Sequence, residues 1–236
     1  MKQMKIDIWS DVRCPFCYIG KHKFEKALDE FPNKSKVEVV WHSFELDPNL
    51  QTDPDKNALD HLAESKGISR IQAEAMTQHA VHAAQDVGLK LNFNKAVVAN
   101  SFQAHQLIQL AKTKNLGNKA EEALFNAHFS EGRNIDDKKE LLQIGVTIGI
   151  SEKETEEALG SDDFAYKVRQ DEAEARSLGI RGVPYFVFND KYAVSGAQPA
   201  EVFLGALKKS WGEFEKEHKL VQLSDGAACS VDGNCN

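Results

Sequence analysis

Two cysteines separated by two residues stand directly after a strand-like segment, and this arrangement constrains the chain more than any other. The order is Met4-Lys5-Ile6-Asp7-Ile8-Trp9, then Ser10-Asp11-Val12-Arg13-Cys14-Pro15-Phe16-Cys17-Tyr18. The first six residues alternate polar and apolar, which predicts a short strand. Pro15 predicts a helix start, because proline is tolerated at a first helical position where its missing N–H would be unpaired anyway. Cys14 is thereby placed at a helix N-terminus, where exposed N–H groups and the positive end of the dipole favour a thiolate. Cys17 follows one turn later on the same face, within reach of the first sulfur. The pair can therefore run a complete exchange cycle, Cys14 attacking and Cys17 resolving the mixed disulfide. The same spacing is also half of a zinc site, with Cys229 and Cys235 as the other half. Pro15 between two such ligands disfavours that reading, and no metal is expected.

Downstream, Phe24, Ala27, Leu28 and Phe31 recur at helical steps, and Pro32-Asn33 stops that helix. Lys36 to Phe44 reads as a second strand, apolar enough on both faces to be central. Strand, helix and strand in this order make a βαβ unit with parallel strands. From Asn57 to Leu178 no strand is predicted and helix signals recur. Ser69 with Gln72, Asp137 with Glu140, and Ser151 with Glu154 each have capping-box spacing. Apolar stripes run through Phe102, Leu107, Leu110 and Ala111, and through Leu124, Phe125, His128 and Phe129. The last helix of the group, with Phe164, Val168, Ala175 and Leu178, stops at Gly179. Two apolar runs around Asn189-Asp190-Lys191 then predict a hairpin, with Pro184 at the first position of its strand. A closing helix follows Gln198-Pro199 and carries Phe203, Leu207, Trp211 and Phe214.

This order predicts an α/β chain with a discontinuous thioredoxin-like domain at residues 1–56 and 179–220. An all-helical insertion at 57–178 interrupts it, and a small, polar C-terminal tail at 221–236 holds Cys229 and Cys235. A chain of 236 residues accommodates this as one large domain with an insertion. The net charge of -7 with no basic stripe argues against nucleic acid. No run approaches the ~18 apolar residues of a membrane span, and no secretory signal precedes the first strand, so a cytoplasmic protein is expected. In such a compartment four cysteines point to catalytic chemistry rather than a structural framework. The tail pair, with five intervening residues rich in Gly, Asp and Asn, can close on itself and serve as a redox relay to Cys14, or be inert. His79 and His82 lie three apart on a helix without a ligand set to complete a metal site, and His42 reads as a satisfied core residue.

The order of Cys-Pro-Phe-Cys at the first βα turn, a helical insertion, Gly-Val-Pro, a hairpin and a closing helix resembles the thioredoxin fold of the DsbA type. The similarity is greatest to the cytoplasmic, FrnE-like members of that family. It is carried by Asp11 to Gly20, Asn100 to His105, Phe129 to Ile135, Gly182 to Phe186 and Ser195 to Gln198. The resemblance implies a thiol:disulfide oxidoreductase or isomerase acting on protein substrates with disulfides or thiols. It implies a cis bond before Pro184 facing the cysteines, and a substrate surface made of Pro15, Phe16, Val183, Pro184 and His105. No bound cofactor is implied, only exchange with glutathione or a thioredoxin-type partner, and a monomer or homodimer. Phe16 replaces the histidine of periplasmic members, so a strongly oxidising potential is not expected. Two alternatives share the architecture: a glutathione-dependent isomerase or transferase of the hydroxychromene-carboxylate isomerase and kappa type, and a holdase using the helical insertion as a clamp. The first of these usually has serine at the position of Cys14.

Overall fold

The computed structural model describes residues 2–218. Cys229 and Cys235 lie outside the described residues. β1 (Met4–Ser10) leads through Cys14 into α1 (Pro15–Asp29), and β2 (Val37–Ser43) returns parallel to β1, with Ile6 opposite Val39 and Ile8 opposite Trp41. Near the other end of the chain, β5 (Tyr185–Phe188) and β6 (Tyr192–Ser195) form the predicted hairpin. Its turn is built on Asn189 and Asp190, both with positive φ, a conformation Asn and Asp adopt more readily than most residues. β5 pairs antiparallel with β1, so the four-stranded order is β2-β1-β5-β6.

β1 is thus an interior strand, while β2 lies at the edge of the sheet, not in its centre as its sequence suggested. Its apolar residues are covered from the flank instead: α4 (Phe102–Thr113) and α8 (Asp162–Ser177) pack against it. α9 (Ala200–His218) packs on α1 and on the hairpin. Between them, Phe24 meets Phe186, Phe188 and Phe203 at ring-centroid distances of 5.5, 6.3 and 5.8 Å. Each such fully buried ring contributes about 1.5–3 kcal/mol by removal from water.

The segment between β2 and β5 holds α2 (Ala58–Lys66), α3 (Arg70–Gln85), α4, α5 (Gly117–Phe125), α6 (Lys138–Ile148), α7 (Glu152–Leu159) and α8. It is not all helical. β3 (Asp53–Asn57) pairs antiparallel with β4 (Val97–Val98), with a register shift between Asp53 and Asn57. Asp-Pro-Asp-Lys-Asn has no apolar alternation, so its pairing is set by the distant partner strand rather than by its own pattern. Asn57 also ties this corner together. Its side chain caps α2 by accepting from the Leu59 N–H and donates to the Asn94 carbonyl at 2.7 Å.

Two of the three expected capping boxes form, at Ser69/Gln72 and Ser151/Glu154. At α6, Asp137 accepts from the N–H groups of Lys139 and Glu140, but the Glu140 carboxylate pairs with Arg133 instead of reaching back. α8 ends at Gly179 (φ 72°) with Ile180 N–H on the Ala175 carbonyl and Gly179 N–H on the Arg176 carbonyl, a complete Schellman stop.

On the side of the sheet opposite α1, buried His42 is held between two carboxylates. One ring nitrogen lies 2.6 Å from Asp7 Oδ1 and the other 2.9 Å from Asp171 Oδ1, while Trp9 stacks on the ring at 4.4 Å. Among the described residues no helix is long and apolar enough to cross a membrane.

Candidate active site

Cys14 is the N-cap of α1 and Pro15 its first helical residue. The chain enters the helix through a tight turn in which Cys14 N–H donates to the Asp11 carbonyl at 2.9 Å, and Cys17 N–H donates to the Cys14 carbonyl at 3.0 Å. Both cysteines are free thiols and both are buried. Their two sulfurs are unequal. The Cys17 thiol hydrogen-bonds Cys14 Sγ, and the Cys17 and Phe16 N–H groups add to it, so the Cys14 pKa is lowered although burial opposes this. Burial first, and the Cys14 sulfur second, push the Cys17 thiol well up. Of the two, Cys14 is thereby the sulfur that ionises first.

The Val183–Pro184 bond is cis. The Cys14 thiol lies 3.6 Å from the Val183 carbonyl oxygen, although 169 residues separate the two in the chain. Pro184 is buried against α1, with Gly20 beneath it: a Cβ on Gly20 would come within 2.9 Å of Pro184 Cγ. Val183 is half-buried, and no other backbone group among the described residues bonds its N–H or C=O. The Val183 backbone is therefore open to the kind of pairing that strand addition uses.

His105, expected to contact substrate, does not reach the surface. It is fully buried, its Nε2 3.7 Å from Asp11 Oδ1, an ion-pair distance too long for a hydrogen bond. α4 carries it inward because Ala104, Leu107 and Ile108 around it are all core residues. The result is a polar floor under the cysteines that the residue pattern did not reveal. Asp11 Oδ1 accepts from Arg13 N–H and Oδ2 from Leu46 N–H, at 3.0 and 2.8 Å. Burial opposes ionisation of Asp11, but His105 and these N–H groups hold its pKa below the ordinary value. Glu121, on α5 and fully buried, accepts from the Ser10 hydroxyl at 3.3 Å, and burial raises its carboxyl to about 7. Asp11, three residues before Cys14, was the one visible signal for this floor. Glu121 had none, since it sits among exposed-looking polar neighbours.

α5 continues from Phe125 as a π-helical turn, Asn126–Glu131, which ends at Gly132 with φ 74°. The turn brings His128 and Phe129 to a cleft of about 280 Å³ beside the cysteine motif. Pro15, Phe16 and Arg13 form its wall on the motif side, and Leu59, Leu62 and Met76 face them from α2 and α3. Phe16 is thus placed on a concave apolar surface, with His79 behind it at 5.8 Å. Tyr18 fastens α1 to α5 by stacking on Phe125 at 4.9 Å and donating to Glu122 at 2.8 Å.

A cysteine pair at a helix N-terminus opposite a cis-proline loop, on a sheet of order β2-β1-β5-β6, defines a thioredoxin-fold protein with a dithiol centre. Residues 5–208 match the DSBA-like thioredoxin domain, and the chain belongs to that family. The solved structure of a probable DsbA oxidoreductase from Streptomyces coelicolor is 38% identical and superposes with a TM-score of 0.83, covering 99% of each chain. The cytosolic disulfide reductase DsbM from Pseudomonas aeruginosa shares the fold at 18% identity, with a TM-score of 0.61 over 90% of this chain and 98% of its own. The uncharacterized protein YwbO of Bacillus subtilis (strain 168) is 29% identical over 208 residues, 86% of this chain and 94% of that protein.

Proposed function

We propose that the chain is a thiol:disulfide oxidoreductase acting on protein disulfides, with Cys14 as nucleophile and Cys17 as resolving thiol. The observation that carries this reading is the inequality of the two sulfurs: the Cys14 thiolate is favoured at the head of α1, while Cys17 is held as a thiol within its reach. In the reductive direction, Cys14 S⁻ attacks one sulfur of a substrate disulfide. A Cys14–substrate disulfide forms, and the other substrate sulfur leaves as a thiolate that takes a proton from water. Cys17 then gives up its proton and attacks Cys14 Sγ, releasing the second substrate thiolate. Two electrons have passed from the dithiol to the substrate, and the Cys14–Cys17 disulfide remains.

Glutathione or a thioredoxin-type dithiol returns the centre to its reduced form. A cytoplasmic location, where thiol pools are reducing, makes reduction or isomerisation the working direction. Cys229 and Cys235 serve as the relay between that reductant and Cys14. Pro15, Phe16 and the Val183–Pro184 backbone contact the substrate chain, and no metal takes part.

Reduction of insulin disulfides by the full chain, followed with and without glutathione, tests this reading. Cys14→Ser should abolish turnover and Cys17→Ser should accumulate a mixed disulfide with substrate. Full turnover in Cys14→Ser would refute it. A chain ending at Leu223 should be re-reduced more slowly if the tail pair is a relay, and at an unchanged rate if it is not.

A further inference from the structure

Two residues that line the cleft beside the motif carry polar atoms that no group among the described residues satisfies. Arg13 Nη1 is buried without a hydrogen-bond partner, and so is Nδ1 of His128. Both residues line the cleft. No carboxylate approaches the Arg13 guanidinium within ion-pair distance among the described residues; Asp11 is turned instead to the N–H groups of Arg13 and Leu46. His128 is 5% exposed, and burial, then the Arg13 charge, lower its pKa to about 4, so at neutral pH it is an uncharged imidazole. Apart from His61 and Thr77 the rest of the wall is apolar, and Met76 leaves half of its surface to solvent.

A buried guanidinium N–H left without an acceptor destabilises the site by the desolvation it has already undergone. A wholly apolar occupant would leave that cost in place, and a cationic one would add repulsion. A carboxylate supplies what is missing, accepting from the guanidinium in charge-assisted geometry. The uncharged His128 ring, in the tautomer with its proton on Nδ1, donates to the same group. The volume, about 280 Å³, falls at the small end of ligand-binding clefts. We propose that this cleft binds an apolar carboxylate, its hydrocarbon or aromatic body between Phe16, Leu62 and Met76 and its carboxylate on Arg13 and His128. Such a group is presented either by a free arylalkyl acid or by the C-terminal residue of a polypeptide ending in a large apolar side chain. Nothing in this assignment depends on thiol exchange.

The test is calorimetric titration of the full chain carrying Cys14→Ser and Cys17→Ser, so that binding is read without disulfide chemistry. The probes are 3-phenylpropionate, its amide, 3-phenylpropylamine, and acetyl-Gly-Phe with a free carboxylate. A charge-assisted bond of about 1.5–3 kcal/mol predicts that the acid binds about tenfold or more tightly than the amide, and that the amine does not bind. Arg13→Gln should remove the preference for acid over amide. Met76→Trp, a change at an exposed position, should block the acid while circular dichroism shows an unchanged fold. Tighter binding of the dipeptide than of the free acid makes a polypeptide C-terminus the natural occupant, and the reverse makes it a small molecule. Equal affinity for acid and amide, an unaltered affinity in Met76→Trp, or no binding of any carboxylate at millimolar concentration would each overturn the assignment.

Discussion

The Cys14 thiol is positioned 3.6 Å from the carbonyl oxygen of Val183, and this one contact joins the two ends of the thioredoxin-like part across the whole helical segment. It places the Cys14 sulfur beside Val183, whose N–H and C=O no other backbone group bonds among the described residues.

The two thiols should titrate apart. Alkylation of the reduced protein by iodoacetamide, read by mass spectrometry against pH, should modify Cys14 with an inflection below the free-thiol value of ~8.5 and leave Cys17 unmodified in the native state. Cys17→Ala removes the donor that is the largest cause of the lowered Cys14 pKa. The inflection should then rise, because a hydrogen bond to the charged form favours that form. An inflection that stays put would show that the helix N-terminus alone sets the Cys14 value.

Gly20 should not tolerate a methyl group. In a helix, alanine is normally favoured over glycine by about 0.8–1 kcal/mol. Here the added Cβ would stand 2.9 Å from Pro184 Cγ and 3.5 Å from Ala197, and the proline ring cannot fold away. Overpacking of this kind costs about 1–3 kcal/mol. Urea denaturation of Gly20→Ala should give a lower midpoint, and disulfide reduction should slow as the Val183–Pro184 loop moves off Cys14. A stabilised, fully active variant would contradict the close approach of α1 and the loop.

The buried Glu121 carboxyl makes the fold prefer acid. Its pKa rises from 4.5 in the unfolded chain to about 7, so across that interval the native state binds more protons and stability falls as pH rises. The total is about 3 kcal/mol at 1.36 kcal/mol per unit. Glu121→Gln should remove that slope, and urea midpoints at pH 5 and pH 7.5 compared with the parent chain measure it. Parallel pH profiles for the two proteins would mean that Glu121 is not the group responsible.

His42 acts with the same sign as Glu121, over a higher pH interval, and resembles an internal counter-ion. Burial would lower its pKa, but hydrogen bonds with Asp171 and Asp7 outweigh that and raise it. Its contribution is complete below the unfolded value of ~6.5 and is lost as pH climbs through the higher folded value. Asp7 and Asp171, lowered by His42 against their own burial, contribute fully above ~3.9 and lose it as pH falls through their depressed values. Replacing His42 by Ala removes the partner that Asp7 and Asp171 share and leaves them Lys5 and Lys112, so it should cost about 1.5–3 kcal/mol near neutrality. Thermal melts at pH 6 and pH 9 should show that the gap between parent and variant narrows at the higher pH.

Much of the local structure was legible beforehand because its causes are local. Pro15 at the head of α1, the capping boxes at Ser69 and Ser151, the Gly179 stop and the Asn189-Asp190 turn each depend on backbone geometry within a few residues. β3 escaped notice because its residues carry no alternation, and β2 looked interior because apolar residues on both faces can be covered by helices as well as by strands. His105 resembled a cleft residue but is buried, since the depth of a side chain depends on what packs over its helix.

From the chain alone, then, came the dithiol and its order: one cysteine at the head of a helix and its partner one turn later are placed by backbone geometry within a few residues. The tertiary structure alone decided what faces that sulfur and what lies beneath it. The Val183 carbonyl over Cys14, the buried Asp11, His105 and Glu121, and the cleft where Arg13 and His128 converge are each assembled from segments far apart in the chain. Burial and contact of that kind are set by which faces meet when the core closes, and no periodicity within one segment encodes the identity of its distant neighbour.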